Sequence, residues 1–353
     1  MKIGIDLGGS HIGIGLLNNE NKLISKIEKD IEEVGREEKK ILRFIDEQIE
    51  ILKKNNSIDL IGIATPGNIK GNCMVNLYNL GINKLDLTSL IEKNKDIMFQ
   101  INNDSKAAGN AEMQYGALSQ YEDAVFLCLG TGIGSAVFLN GKMLKANRNI
   151  GFELGHMIID KNGLRCNCGK RGCFETYCSI KRFKDNVTNI LNIKQSNHED
   201  LKEILEEIVL QNASSNNRIC IIDSSNKDYD EVKNNTNEFD ENEKIIVSMQ
   251  DVMKIRETIE QYINDMIVGL SNIIEIFEPE AICFGGSFVF FKNIFYDRLL
   301  EEMNRRKYVF NKEDLPKIVL AELKNDAGII GAVLWAKANF SLVDKFCNVV
   351  YNN

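Results

Sequence analysis

The sequence predicts an α/β protein of two lobes that face each other across a cleft. A strand, a glycine turn and a return strand occupy Lys2 to Leu17, and the same succession recurs from Ala124 to Leu139, about 120 residues later, as a duplicated unit would leave it. At 353 residues the chain is also longer than a single core usually organises. A third strand, Ala281 to Phe284, runs into Gly285-Gly286-Ser287, so strands feed glycine turns in both halves.

The elements follow in order. Lys2 to Asp6 reads as a strand, Gly8-Gly9-Ser10 as a turn, Ile12 to Leu17 as a second strand, and Asn18 to Asn21 as the next turn. Ile41, Leu42, Phe44, Ile45, Ile49 and Leu52 recur at helical spacing and predict an amphipathic helix from about Glu38 to Lys53. Leu60 to Ala64 is a buried strand ending in Thr65-Pro66-Gly67. Ile97 to Ile101 is another, ending in Asn102-Asn103-Asp104, and an alanine-rich helix is expected from Ser105 to Tyr115. Ala124 to Leu129 and Ser135 to Leu139 form a hairpin around Gly130-Thr131-Gly132-Ile133-Gly134, closed by Asn140-Gly141. A long helix is expected from Val252 to Glu278, and a last loop-to-helix junction at Asp326-Ala327-Gly328 leads into Ile329 to Ala336.

Charge and composition narrow the function class. A net charge of −8 argues against a protein that coats phosphate backbones, hence against nucleic acid as a partner. Ser214 to Glu243 carries −5 of it and lacks the apolar content to pack, apart from a β-like patch at Arg218 to Ile222; a surface insertion is expected there. After Lys2 a charge follows at Asp6 with no apolar leader, which predicts a cytoplasmic address. The longest uncharged run, Ala124 to Gly141, has glycines at its centre and reads as the buried hairpin rather than a membrane span. Nine cysteines in such a compartment are thiols or metal ligands, not a disulfide framework.

Glycine turns after strands offer bare backbone N–H groups to anionic oxygens. Three occur, at Asp6 to Ser10, Leu129 to Gly134 and Phe284 to Ser287, and none fits a Walker A loop or a Rossmann fingerprint. Asp104 suits either an N-cap or a general base at a cleft edge. Cys166-x-Cys168-x4-Cys173, with His156 upstream, supplies a Cys3His set for tetrahedral zinc; with four protein ligands the site is closed and structural. Cys178 is expected to pack as a small apolar side chain. Glu153, His156 and Glu175 bracket the loop and could line a polyol.

Together these residues resemble the ROK family (repressors, open reading frames and kinases), bacterial glucokinases in particular, within the group sharing the two-lobed actin-like ATPase (ribonuclease H-like) fold. The likeness is carried by the Asp6 turn, Thr65-Pro66-Gly67, Asn79-Leu80-Gly81, Asn103-Asp104, Leu129 to Gly134, Glu153-Leu154-Gly155-His156, Cys166-x-Cys168-Gly169-x-x-Gly172-Cys173-x-Glu175, Gly285-Gly286 and Ala327-Gly328. It implies ATP-dependent phosphorylation of a hexose, glucose first, with N-acetylmannosamine, N-acetylglucosamine, fructose or allose as alternatives. Asp104 would be the catalytic base. Gly67, Asn68, Asn79, Asn103, Asp104, Glu153, His156 and Glu175 would meet the sugar. ATP would lie against Asp6, Gly8, Gly9, Ser10, His11, Gly130, Thr131, Gly132, Gly285 and Gly286. Mg2+ would bridge the phosphates near Asp6, and Zn2+ would sit on His156, Cys166, Cys168 and Cys173.

The resemblance further implies a homodimer and no membrane partner. It divides the chain into a small lobe, 1–118, joined by a C-terminal helix at about 337–353, and a large lobe, 119–336, with the zinc-binding loop 156–175 and the acidic insertion 214–243. Ser10-His11 stand where the family commonly has Thr-Lys, replacing a permanent cation by an imidazole. The rival is a sugar-responsive repressor body; such repressors carry an N-terminal helix-turn-helix, whereas this sequence begins at the first strand.

Overall fold

Lys2-Ile-Gly-Ile-Asp-Leu places Ile3, Ile5 and Leu7 at alternate positions, and in the computed structural model it forms strand β1 (Lys2–Leu7), almost wholly buried. The structure describes residues 1–9, 11–77, 80–145, 151–193, 198–210, 218–220, 246–309 and 311–334. Strands β2 (His11–Leu17) and β3 (Leu23–Asp30) follow β1 as an antiparallel meander. Helices α1 (Ile31–Val34) and α2 (Glu38–Lys53) lead to β4 (Leu60–Thr65), which pairs in parallel with β1. A small antiparallel sheet of β5 (Asn68–Lys70), β6 (Cys73–Val75) and β7 (Lys84–Asp86) and helix α3 (Thr88–Lys93) intervene before β8 (Met98–Asn103). The first sheet thus has the order β3-β2-β1-β4-β8.

Helix α4 (Asp104–Tyr115) leads into the second sheet, where β9 (Ala124–Leu129), β10 (Ile133–Leu139) and β11 (Lys142–Met143) repeat the meander. Helices α5 (Phe174–Cys178), α6 (Ile180–Leu191) and α7 (His198–Leu210) follow. Strand β12 (Arg218–Cys220) pairs with β13 (Ile246–Ser248), so the β-like patch of the acidic segment forms a two-stranded ribbon; the rest of 214–243 lies outside the described residues. Helix α8 (Met249–Phe277), β14 (Ala281–Gly285), α9 (Lys292–Arg305) and β15 (Lys317–Leu320) complete the order β11-β10-β9-β14-β15. Strand for strand this repeats the first sheet, an antiparallel meander followed by two parallel crossovers, and the duplication expected from the glycine turns is present.

Each sheet has its own core. Ile41, Ile45 and Ile49 of α2 close over Ile3, Ile5, Ile61 and Ile63, whereas α6, α7, α8 and α9 bury Phe183, Ile208, Ile263 and Phe295 with Val125, Leu127 and Ile282 of the second sheet. Cys178 is fully buried in that second core.

Where the last described helix meets its neighbours, contact is nearly backbone on backbone. The final described helix, α10 (residues 326–334), lies across the first sheet: a Cβ on Gly4 would fall 2.1 Å from the Ile329 carbonyl oxygen, and one on Gly62 2.3 Å from that of Ala332. A Cβ on Gly331 of α10 would fall 1.8 Å from the Ala107 oxygen of α4. By this packing α10 goes with the first sheet, although it falls within the 119–336 span expected for the large lobe. The C-terminal helix expected at about 337–353 lies outside the described residues.

Helix α4 also touches the second sheet, since Gly109 leaves no space for a Cβ beside Ala136 and Phe126. Its fully buried Glu112 accepts hydrogen bonds from the amides of Ala117 (2.9 Å), Glu322 (3.2 Å) and Leu323 (2.8 Å), pinning the connection after β15 to the end of α4.

Candidate functional site

Parallel neighbours end together, and ligands of open α/β sheets gather beyond the carboxyl ends of such strands. In the first sheet Asp6 of β1 pairs with Ala64 of β4, and Thr65 with Asn103 of β8. The Asp6 turn, Thr65-Pro66-Gly67 and Asn103-Asp104 therefore share one edge. In the second sheet Gly285 pairs with Cys128, which brings Gly285-Gly286 beside the Gly130 turn; a Cβ on Gly286 would lie 2.8 Å from the Leu129 oxygen.

The two edges meet at α4. Asn103 caps this helix, its Oδ1 accepting from the Lys106 amide at 3.1 Å, so Asp104 is the first helical residue and not the N-cap. Its Oδ1 accepts from the Ser105 amide at 2.7 Å and the Ser105 hydroxyl at 3.2 Å. Ser105 Oγ in turn rests on Gly134, where a Cβ would come within 1.8 Å. Burial raises the Asp104 pKa, its own bonds to Ser105 oppose the rise, and the Glu153 charge adds to it.

Asp6 is more strongly perturbed. Burial, then the charges of Asp104 and Glu28, push it up to about 7, and its carboxylate lies against Gly328 in the first turn of α10. The Cys128 thiol, on the opposite sheet, is pushed up to about 12 by burial and then by Asp104 and Asp6. Three groups from two sheets thus sense one another across the cleft.

Around these groups the expected phosphate turns take shape. The Gly8 amide donates to the His11 carbonyl at 2.9 Å, closing the first turn, and His11 Nε2 lies 4.0 Å from Asp6 Oδ2. Ser10 is outside the described residues. The Arg36 guanidinium reaches the Gly9 carbonyl at 3.4 Å and lies beside Gly81; nothing in the sequence marked it for this place. In the second turn the Gly130 amide donates to Gly132 at 2.9 Å, and Thr131 is exposed between them. Glu175, expected at the sugar, supports that turn: its Oε2 accepts from the Ile133 amide at 2.9 Å and abuts Gly132.

Gly67 has φ +82 and begins the turn into exposed Asn68. Asn79 lies outside the described residues. Glu153 is 45% exposed and pairs with Lys106 Nζ at 3.8 Å. Lys106 itself is only 3% exposed. A charged residue in a run otherwise of small side chains was the available signal for it.

The metal cluster assembles as expected. The ligand atoms of His156, Cys166, Cys168 and Cys173 all lie within 4.8 Å of one another. Zinc–sulfur bonds of about 2.3 Å in a tetrahedron put ligands roughly 3.8 Å apart; Cys168 and Cys173 are 3.6 Å apart, Cys166 Sγ and His156 Nδ1 3.8 Å. Burial, then the neighbouring thiols, push Cys173 up to about 12. The loop closes through the Cys166 amide to the Lys170 carbonyl (2.8 Å) and the Gly172 amide to Leu164 (2.8 Å). Gly172 is required twice, by φ +75 and by the Asp160 oxygen 1.6 Å from where a Cβ would stand.

Known proteins share this fold. A sequence profile of the ROK family matches residues 2–339. A xylose repressor of Caldicellulosiruptor bescii is 25% identical over 342 residues, 94% of this chain and 76% of the relative. A glucokinase of Thermotoga maritima is 34% identical over 188 residues, 51% of this chain and 59% of its own. Among solved structures, a glucokinase from Streptomyces griseus in complex with glucose and AMPPNP superposes with a TM-score of 0.68 at 18% identity, over 96% of this chain and 99% of that one. A hexokinase from Thermus thermophilus does so with 0.70 at 22% identity, over 96% and 98%.

Proposed function

The chain belongs to the ROK family, and from that premise we propose that it is an ATP-dependent hexose kinase acting on glucose at the 6-hydroxyl. The observation that carries this is Asp104: a half-buried carboxylate at the carboxyl end of a parallel strand, its proton affinity raised, near enough to Asp6 of the first sheet and Cys128 of the second for their charges to interact. A carboxylate so placed can take a proton from a primary hydroxyl as that oxygen attacks phosphorus, and phosphoryl transfer asks little of a protein beyond this, positioning and charge stabilisation.

In this mechanism Gly67, Asn68, Asn79, Asn103, Glu153 and His156 hold the sugar's hydroxyls. Glu175 acts at one remove, by fixing the Gly130 to Gly132 turn. The turns Gly8-Gly9-Ser10 and Gly130-Thr131-Gly132 receive phosphate oxygens on amides other than those of Gly8 and Gly130, which close the turns, and Gly285-Gly286 border the nucleoside. His11 and Asp6 flank the phosphates, and the Asp6 carboxyl is pushed up to about 7 by burial and the neighbouring charges of Asp104 and Glu28. Mg2+ would neutralise charge on the transferring group. The Cys3His donor set fits Zn2+, which would anchor the loop and fix the His156 ring through Nδ1, leaving Nε2 for a hydroxyl.

The curated relatives favour a second reading, a sugar-responsive repressor body that binds the sugar without phosphorylating it. One coupled assay separates them. With Mg-ATP and a panel of glucose, fructose, allose, N-acetylglucosamine and N-acetylmannosamine, we expect turnover, fastest with glucose. Sugar binding with no turnover on any member would establish the repressor reading. A kcat/KM for fructose or N-acetylmannosamine about tenfold above that for glucose would overturn the substrate while keeping the kinase.

A further inference from the structure

Lys106 is an expensive residue where it stands. It lies in the first turn of α4, where the helix dipole disfavours a cation, and its side chain is 4% exposed. Burying an ammonium is costly unless partners replace its water. Its neighbours on the same helix, Ser105, Ala107, Gly109 and Ala111, are small, so packing alone does not call for a lysine.

What surrounds the ammonium explains its retention. Lys106 Nζ donates to the carbonyl of Ser135 on β10, donates to that of Phe152 at 3.3 Å, and pairs with Glu153 Oε1 at 3.8 Å. Phe152 follows Gly151, and both adopt left-handed backbone, φ +50 and +71, an uncommon conformation for phenylalanine. Ser135 Oγ also donates to the Phe152 oxygen, at 2.6 Å, and accepts from the Leu154 amide at 3.1 Å. The unusual turn that presents Glu153 is thus fastened from below by one lysine and one serine.

We propose that Lys106 is a positioning residue of the sugar site: from beneath, it holds the turn that carries Glu153 and balances the paired negative charge of Glu153 and Asp104. The inference rests on the assignment of those two carboxylates to the sugar site. The groups facing Asp104 are Lys106 and Ser105 of its own helix, Glu153 of the turn, Asp6 of β1 and Cys128 of β9. Of these only Lys106 is a cation, and its charge draws the Asp104 pKa down while that of Glu153 draws it up.

The test is the titration of Asp104, followed through its labelled carboxyl carbon and identified by comparison with Asp104→Asn. Lys106→Gln keeps a donor for the two carbonyls and removes the charge. It should raise the Asp104 midpoint by about one pH unit, as loss of an adjacent opposite charge does, and move the acid limb of kcat/KM with it. Glu153→Gln should lower the midpoint, and the double variant should return it near the wild-type value. A purely structural lysine would leave the midpoint within about 0.2 unit of the wild type, and that result overturns the proposal. If Lys106→Gln does not fold, Glu153→Gln decides alone: an unmoved Lys106 Nζ resonance in that variant denies the pairing. Absence of turnover in the wild type would refute the kinase and leave the carboxyl titration intact as the measure of Lys106.

Discussion

Asp104→Asn keeps the shape of the side chain and removes its ability to accept a proton. Turnover should fall about 10²-fold or more, the contribution general bases make, while calorimetry still detects the sugar with little loss of affinity; near-normal turnover would show that the base lies elsewhere. Asp6 gives a prediction of opposite character. Its pKa of about 7 in the folded protein exceeds the unfolded value near 4, so between those limits the native state binds more protons than the unfolded one. Stability through this group is therefore fully present below pH 4 and is lost as pH rises towards 7 and beyond. Asp6→Asn should raise the melting temperature at pH 8 more than at pH 5, and equal shifts at the two values would contradict it. Asp6, Asp104 and the cysteines were legible because strand ends and ligand spacing advertise them. Lys106 and Arg36 were not, since the contacts that bring each to the site, Lys106 to Glu153 and Arg36 to Gly9, span 47 and 27 residues that only folding brings together.

Among the elements, those with a buried face were legible. Helix α2 was placed from Glu38 to Lys53 because Ile41, Ile45 and Ile49 repeat at four-residue intervals, and all three are buried. Strand β3 gave no such signal: every residue after Leu23 is exposed, so no apolar alternation marks it. The Cys3His loop was the most legible element and yields a direct test. Protein prepared without added metal should carry one zinc per chain, and chelation should disorder residues 163–175 and abolish sugar affinity while nucleotide affinity persists, because the loop's fold is tied to its metal. Metal-free protein that still binds sugar at full strength would refute this. Cys166→Ser should act in the same direction.

At the scale of the whole molecule, the duplication was visible as a repeated turn, but the seam between the halves was not. Glu112 reads in sequence as one more helical carboxylate. Only the fold shows three backbone amides converging on it. Glu112→Ala leaves those donors without their acceptor, and at about 1–3 kcal/mol for an unsatisfied buried group the denaturation midpoint should drop sharply; a change below about 1 kcal/mol would mean water replaces the carboxylate.

The seam's glycines bear on how this chain can be improved. Replacing glycine by alanine is an ordinary route to greater thermal resistance, because it narrows the unfolded ensemble. Here the methyl has nowhere to go at Gly4, Gly62 or Gly331, and Gly331→Ala should lower the melting temperature, not raise it. Gly71, Gly141 and Gly169 have room but left-handed backbone. Gly130 alone, among the glycines whose surroundings are described, has open space and an ordinary φ, and its emptiness is what the proposed nucleotide would fill. An engineer or a lineage seeking heat tolerance must look to side chains and loops, for the skeleton of this protein has already given its spare volume to the close seating of α10 on the first sheet and on α4.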